Sequence, residues 1–477
     1  MIRSDQADRP LPAIPSLRRR LLSGSAWAMG GKAAAAVLGI VSNALLARLL
    51  TPAELGAYFI ILSIVTFGTV VGEMGLNRAA WRFVAEGLGV GELGRTRRVT
   101  LTMVALGVAG AAVASILYLV FGGLLAGSLF RNSAVILSVT GLVAAWIGVS
   151  TVQDLVAEIF RGFHDVRLTT IFGGASTGGS SAGLLMRVLI LVCLVPMWTY
   201  WGHSSLASVM LVMLGTASVT TLASGWSLYG RIRRLGGREA PAVRAVPLRE
   251  VLGVSAPLLV SNLSVFVFLQ TDVWILAAFQ PPQEVAVYGA ASRFVALVTM
   301  PLMIVNAVLP PIIAELYARG EKDRLERTIR PVATLAGIPS ALALLLFAVA
   351  GGPILGLVYG HYFASGAAVL AIMSLGKVSA VWSGSCGLTL QMTGHQRTMM
   401  WISVSTGILF VVGCLWAARS YGALGVAGVG TAVLIIQNLA MVVAAKRKTG
   451  ISTQMTLSPA PVLRLLSKPD LRGKDGD

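Results

Sequence analysis

Positively charged side chains lie inside long apolar stretches of this 477-residue sequence, where they could bind an anion. Four lie deep in such stretches and a fifth lies nearer an end: Lys32, Arg187, Arg293, Lys377 and Arg78. A charge at the centre of a membrane costs at least about 2.5–3.5 kcal/mol, so such residues usually pair or face water. Lysine offers phosphate a point charge, and arginine offers a planar pair of donors. This set therefore predicts a cationic cavity that binds an anionic group.

Acidic side chains in the same stretches suggest a second kind of chemistry. Glu73, Asp154 and Asp272 could bind a coupling cation or a proton. The alternative for the deep charged residues is a buried ion pair or a hydrogen bond between helices, and the alternative for Arg78, near a span end, is a side chain that extends to the membrane interface. A purely structural set would balance its charges, and the excess of deep basic residues favours the cavity.

Polar residues recur at helical spacing on four of the apolar stretches, the first, second, seventh and eighth. They predict a wet face on each of these helices. The predicted polar lining of the cavity is Asn43, Asn77, Asn262, Ser292 and Asn306.

The elements that must position these residues are membrane-spanning helices. The chain is 56% hydrophobic and 12% charged, whereas soluble domains carry about 25% charged residues. Only helices can cross a bilayer in a sequence of this pattern. Twelve segments are long enough, near 21–50, 54–81, 99–127, 133–160, 168–196, 205–230, 248–279, 284–314, 331–358, 366–392, 398–418 and 422–445.

The basic residues outside these segments predict the topology. The net charge is +18; with the N-terminus in the cytoplasm, 30 basic residues fall on that side and 2, Arg131 and Arg419, on the other. This asymmetry is typical of positive-inside topology rather than of nucleic-acid binding. We therefore predict a multi-pass protein of a bacterial inner membrane, with both termini cytoplasmic, contacts to membrane lipids and no nucleic-acid partner.

The second half of the sequence repeats the first at a shift of 230 residues. Pro52, Glu54 and Tyr58 lie over Pro282, Glu284 and Tyr288. Six segments separate the copies, so the halves have the same orientation in the membrane. The predicted fold is an all-α membrane protein of about twelve transmembrane helices, in two parallel-repeat six-helix lobes around a central cleft.

The predicted boundaries follow from this repeat and from the charged loops. They are a basic cytoplasmic N-terminus at 1–20, an N-terminal lobe at 21–230, a basic cytoplasmic linker at 231–247, a C-terminal lobe at 248–446 and a disordered cytoplasmic tail at 447–477.

No pattern typical of a metal, cofactor or catalytic site is found. The three cysteines and four histidines lack metal-ligand spacing, so we predict neither a metal nor a cofactor. The glycine-rich stretch at 173–183 lacks the Gly-Lys-Ser/Thr ending of a phosphate loop. Its two G-x-x-x-G spacings predict close helix packing instead.

Four stretches resemble one known family. Residues 47–85, beginning ARLLTPAELGAY, resemble the opening signature of the polysaccharide transporter family, which belongs to the multidrug/oligosaccharidyl-lipid/polysaccharide (MOP) flippase superfamily. Residues 271–327, 370–397 and 422–450 resemble the start of its second half, its tenth span and its final span. The resemblance covers nearly the whole chain.

This resemblance implies a flippase rather than an enzyme, with a fold like that of MATE transporters. Its cargo would be a polyprenyl-pyrophosphate-linked oligosaccharide, such as an O-antigen or exopolysaccharide repeat unit, moved by alternating access. Polysaccharide polymerases or glycosyltransferases would be possible partners. A protein carrier is needed for such a cargo, because the polar atoms of a sugar-pyrophosphate group cannot cross hydrocarbon without hydrogen-bond partners.

Two other functions stay open. An ion-coupled multidrug extruder of the same superfamily would carry an acidic cavity for cationic drugs, whereas the deep charges here are mostly basic. A membrane-embedded polysaccharide polymerase or glycosyltransferase would need a large external loop or paired carboxylates outside the spans. The predicted external loops are short.

Overall fold

The computed structural model describes residues 17–89, 93–129, 133–173, 183–235, 248–306 and 309–456, which form helices and turns with no β-strand among them. The helices of the first half are α1 (Leu17–Leu49), α2 (Pro52–Glu73), α3 (Leu76–Gly89), α4 (Leu93–Leu129), α5 (Ser133–Ser138), α6 (Thr140–Gly162), α7 (Val166–Phe172), α8 (Leu184–Trp201) and α9 (Leu206–Leu235). Those of the second half are α10 (Leu248–Phe279), α11 (Pro282–Asn306), α12 (Leu309–Ala318), α13 (Lys322–Tyr359), a short 3₁₀ helix (His361–Gly366), α14 (Ala367–Ser383), α15 (Cys386–Met392) and α16 (Gln396–Thr449).

The predicted number of spans is confirmed. Within the described ranges, nine helices are long and apolar enough to cross a bilayer. One of them, α16, is two helices, because its backbone leaves the helical region at Gly422 (φ 57°, ψ −140°). The apolar stretches Ala33–Leu49 of α1 and Leu269–Phe279 of α10 supply the remaining two of twelve.

The helices pack as two groups that follow chain order. In the first half α4 packs on α6 and α2, and α1 packs on α8; in the second half α13 packs on α11 and α14, and α14 packs on α16. We call residues 17–235 the N-terminal lobe and residues 248–456 the C-terminal lobe. The lobes meet along the first three helices: α2 packs on both α10 and α11, α3 packs on α10, and α1 packs on α11 and α13.

The sequence repeat corresponds to a repeated structural contact. Glu54 forms a capping box with Thr51, and its Oε1 accepts a hydrogen bond (3.4 Å) from the Leu206 N–H at the start of α9. Glu284 Oε2 accepts a hydrogen bond (3.2 Å) from the Ala423 N–H, directly after the kink in α16. Each carboxylate thus lies at the N-terminus of the last span of its own lobe, where backbone N–H groups favour negative charge.

Large apolar side chains remain exposed on the outer faces of the long helices. Soluble monomers rarely expose extended apolar surface, whereas helices that face lipid do so. Examples on α4, α9, α13 and α16 are Val120, Leu124, Leu222, Trp226, Leu342, Val349, Ile408 and Val412. The chain is therefore a multi-pass membrane protein.

Five predicted spans are each divided between two helices: 54–81, 133–160, 168–196, 284–314 and 366–392. The predicted helix 54–81 breaks at Met74 and Gly75, which both have positive φ (50° and 76°). The predicted helix 366–392 breaks at Gly384 (φ 67°). In the predicted helix 168–196, α7 ends at Phe172 and α8 begins at Leu184; residues 174–182, predicted to support close packing, lie outside the described residues.

The predicted disordered tail at 447–477 is wrong for residues 447–456. Helix α16 continues to Thr449, and residues 450–456, which we call the C-terminal strap, lie against the C-terminal lobe with Ile451 buried. The Met455 N–H donates to the Trp382 carbonyl (2.9 Å), and Thr453 Oγ1 donates to the Ser383 carbonyl (3.0 Å). The strap is ordered because the break at Gly384 leaves these carbonyls without helical partners.

The predicted bounds of the N-terminal lobe, 21–230, are too narrow at both ends. Helix α1 begins at Leu17 and α9 continues to Leu235, because the flanking arginines are good helix formers. The first five residues of the predicted linker 231–247 are therefore helical, and the rest of it lies outside the described residues.

Candidate functional site

Arginines from the two lobes approach each other beside α2. Arg187 lies on α8 of the N-terminal lobe, and Arg293 lies on α11 of the C-terminal lobe. Their guanidinium groups interact electrostatically, and both interact with the hydroxyl of Tyr58 on α2. Like charges repel each other strongly where the dielectric constant is low. The arrangement therefore favours an anion between them.

Arg293 has donor capacity that the protein does not use. Its guanidinium carbon lies 5.4 Å from the centre of the Phe59 ring, a cation–π distance. Its Nε is buried without a hydrogen-bond partner in the described part of the chain, and so is the hydroxyl of Tyr359 on α13, which interacts electrostatically with Arg293. Buried polar groups without partners are uncommon. These donors are suited to a ligand that enters when the lobes move.

Helix α1 makes room for the Arg187 side chain. A Cβ atom added at Gly39 would lie 2.5 Å from Arg187 Nη1, so a larger residue there would displace the guanidinium. One turn later, Asn43 Nδ2 donates to the Gly39 carbonyl (2.7 Å). We call the group Tyr58, Arg187, Arg293 and Tyr359 the arginine site; both lobes contribute to it.

A second polar group lies within the C-terminal lobe. Asp272 on α10 accepts hydrogen bonds from the Tyr288 hydroxyl (2.7 Å) and the Val273 N–H (2.8 Å). Lys377 on α14 lines the same cavity of about 110 Å³ and interacts electrostatically with Asp272. We call this space the C-lobe cavity. Its other lining residues are Met373, Phe410, Ala427, Gly430, Thr431, Val433, Leu434 and Gln437.

Hydrogen bonds join the lobes along the second half of α2 and at the start of α3. Asn262 Nδ2 donates to Asn77 Oδ1 (3.2 Å), and Asn77 Nδ2 donates to Glu73 Oε2 (2.7 Å). Trp274 Nε1 donates to Ser63 Oγ (2.7 Å). The sequence predicts Glu73 as a candidate for binding the coupling ion, and Asn77 and Asn262 as polar lining of the cavity. In the structure the three residues form one chain of hydrogen bonds between the lobes.

The lobes touch near both ends of α2. A Cβ atom added at Gly56 would lie 1.8 Å from the Pro282 carbonyl oxygen, and one added at Gly75 would lie 2.2 Å from the Ser255 carbonyl oxygen. Tyr58 lies between these two contacts along the chain. The lobes are therefore in contact near both ends of α2, and both contacts must loosen if the lobes rock apart.

The other predicted site residues lie elsewhere. Asn306 Oδ1 accepts a hydrogen bond (2.6 Å) from Ser385 Oγ, and Ser292 Oγ donates to the Gly289 carbonyl (2.8 Å) of its own helix. Asp154 is buried on α6. The side chains of Lys32 and Arg78 lie outside the described residues. Of the five predicted cations, the structure brings Arg187 and Arg293 together and places Lys377 with Asp272.

Sequence reasoning missed four residues at or near these sites. Tyr58 could have been found from the sequence, because the repeat aligns it with Tyr288 of the second half. Tyr359 lies at the end of a span, where aromatic residues usually form an interfacial belt. Phe59 and Trp274 carried no signal that separates them from other apolar residues.

Two family models match the sequence. One, described as polysaccharide biosynthesis protein, matches residues 21–317, and the other, described as MatE, matches residues 257–416. No curated protein sequence matches the chain significantly.

Solved structures of membrane transporters share the fold. An inward-facing multidrug resistance MATE family transporter of the MOP superfamily has a TM-score of 0.67 at 14% identity, covering 87% of this chain and 94% of its own. The Vibrio cholerae MATE transporter VcmN has a TM-score of 0.61 at 17% identity, covering 91% and 97%. The lipid II flippase MurJ, in an inward closed conformation, has a TM-score of 0.60 at 12% identity, covering 90% and 88%. At these identities the likeness shows the fold alone.

Proposed function

We propose that this chain, which belongs to the polysaccharide biosynthesis protein family, is a flippase for a polyprenyl-pyrophosphate-linked oligosaccharide. The family match confirms the resemblance predicted from the sequence, and together with the shared fold it makes the chain a MOP-superfamily transporter. The arginine site is the observation that carries the choice of cargo. It combines positive charges from both lobes, and Arg293 forms no ion pair within the described residues.

The chemistry of the arginine site suits a pyrophosphate group. Each guanidinium can donate two parallel hydrogen bonds to phosphate oxygens, and the hydroxyls of Tyr58 and Tyr359 add further donors. The polyprenyl tail can stay in lipid while the charged group moves between the lobes. Because the site has residues from both lobes, a rocking motion can expose it first to one side of the membrane and then to the other.

The location and partners belong to the same proposal. The strong asymmetry of basic residues supports a bacterial inner membrane with both termini in the cytoplasm. The cargo would be an O-antigen or exopolysaccharide repeat unit, made by glycosyltransferases on one side and used by a polymerase on the other.

An ion-coupled multidrug extruder is the second candidate. The MatE match at residues 257–416 and the MATE structures favour it, and Asp272 lies inside the matched range. The arginine site argues against it, because two guanidinium groups would repel the cationic drugs that an acidic cavity attracts.

The test is complementation of a deletion strain with Arg187→Gln/Arg293→Gln. In cells with the double variant, lipid-linked repeat units should accumulate on the cytoplasmic face of the membrane. A membrane-impermeant carbohydrate oxidant measures this accumulation: it should oxidise a larger fraction of the repeat units in inverted vesicles, which expose the cytoplasmic face, than in spheroplasts. The matched control is Arg319→Gln, an exposed arginine that pairs with Glu315 away from the site. Wild-type flipping by the double variant, at a normal amount in the membrane, would contradict the proposal. A loss of drug resistance with normal flipping would support the extruder.

A further inference from the structure

The C-lobe cavity contains two opposite charges that face each other without direct contact. A carboxylate has about four lone-pair positions, and Asp272 uses two of them for Tyr288 and Val273. An ammonium group has three donors. In the part of the chain that the structure describes, Lys377 forms neither a hydrogen bond nor an ion pair, although its charge interacts with that of Asp272.

Without the lysine, this cavity would have the chemistry of a cation site. Its lining offers oxygen atoms from Asp272, Tyr288, Thr431 and Gln437. Carboxylate, hydroxyl and amide oxygens are the ligands that hard cations prefer. The ammonium group of Lys377 supplies the positive charge that such an ion would bring.

Packing keeps the lysine beside this cavity. A Cβ atom added at Gly376 would lie 3.0 Å from the Thr431 Cα, so α14 and α16 are in close contact at the residue before Lys377. Thr431 Oγ1 donates to the Ile372 carbonyl (2.8 Å) and ties the same two helices together. All the cavity helices belong to one lobe, so lysine and aspartate stay together when the lobes move.

We infer that Lys377 is a built-in counter-ion for Asp272 and excludes monovalent metal cations from the C-lobe cavity. A second positive charge in this small space would be repelled by the ammonium group. Removing that charge should turn the cavity into a sodium site. This inference holds for either cargo, so its test is separate from the test of flipping.

The experiment measures thermal unfolding of the purified full-length protein in sodium chloride and in choline chloride at equal ionic strength. The wild type should show the same Tm in both salts. Lys377→Met removes the charge and keeps the chain length, and its Tm should rise in sodium by at least about 2 °C through binding to the folded state alone. Lys377→Arg should behave like the wild type. The sodium effect should vanish in Lys377→Met/Asp272→Asn.

Several outcomes would overturn the inference. One is a sodium-specific rise in Tm for the wild type that Asp272→Asn removes. Another is a folded Lys377→Met protein whose Tm is the same in the two salts. If Lys377→Met does not fold, Lys377→Gln replaces it, and the wild-type measurement still decides whether the native cavity binds sodium.

Discussion

Tyr58 and Tyr288 occupy the same position in the two halves of the sequence, yet their hydroxyl groups face opposite charges. Tyr288 donates to the carboxylate of Asp272 inside the C-terminal lobe. The Tyr58 hydroxyl interacts electrostatically with two arginines, Arg187 and Arg293. The residue of the first half that matches Asp272 is Ser42, which donates to the Leu38 carbonyl (2.8 Å) of its own helix. The repeat therefore preserved the helices and changed the charges.

The difference lies in which lobes supply the charges. The C-lobe cavity has one positive and one negative charge from the same lobe, so its balance stays constant when the lobes move. The arginine site has positive charge from both lobes, so its electrostatic energy changes with their separation. A bound anion would stabilise the approach of the lobes, which is what a carrier needs to couple binding to motion.

Charge reversal in the arginine site should have the largest effect. Arg293→Glu removes one positive charge and adds a negative one, so we expect initial flipping rates to fall by at least about 100-fold, in line with the loss of a buried charge contact. Asp272→Asn/Lys377→Met removes a balanced pair, and we expect it to cost less than about tenfold. Rates in reconstituted vesicles, normalised to folded protein, give the comparison. The opposite order would show that the C-lobe cavity carries the cargo.

Keeping the lobes apart at the Gly56 end of α2 should have the next largest effect. Valine at Gly56 would clash with the Pro282 carbonyl, so Gly56→Val should favour states in which the lobes are open there. We expect an impermeant maleimide to label a cysteine introduced at Ser292 about tenfold faster than in the protein with Gly56 unchanged. This factor corresponds to a shift of about 1.4 kcal/mol in the equilibrium toward the open state. Gly215→Val is the control, because a Cβ there meets nothing within 4 Å. Equal labelling of the two variants would mean that this contact does not hold the lobes together.

Loosening the C-terminal strap should affect stability more than transport. Ile451 is fully buried against α12 and α13 beside Leu309, Ile313 and Leu325. Ile451→Ala should lower the free energy of unfolding by about 2–4 kcal/mol, measured as a fall in Tm. Flipping per folded molecule should stay unchanged, because the strap moves with one lobe. A transport defect at normal stability would give the strap a part in lobe motion.

Much of the fold could be predicted because its signals are local. Twelve spans follow from apolar length, and the orientation of the halves follows from the repeat. The breaks at Met74 and Gly384 could not be predicted, because a change of one backbone angle hardly alters hydropathy. The C-terminal strap was missed because its partners, the carbonyls of Trp382 and Ser383, become available only where α14 ends.

The candidate site could be predicted residue by residue but not as groups. Arg187, Arg293 and Lys377 were each identified as costly charges in apolar segments. Their grouping depends on how α8, α11 and α14 pack, and residues so far apart in sequence carry no periodic signal of contact. Asp272 was assigned to a coupling ion because the sequence alone does not show which amine faces it.

The smallest expected effect concerns the aromatic support of Arg293. Phe59→Leu keeps an apolar side chain and removes the ring that lies 5.4 Å from the guanidinium. A cation–π contact is worth about 0.5–1 kcal/mol, so the apparent affinity for the lipid-linked cargo should fall about two- to fivefold. Phe279→Leu is the matched control, because its ring lies 4.7 Å from Arg419, which is not part of the arginine site. If both variants lost the same affinity, the effect would belong to packing in general, and Phe59 would have no special part in holding Arg293 where the lobes meet.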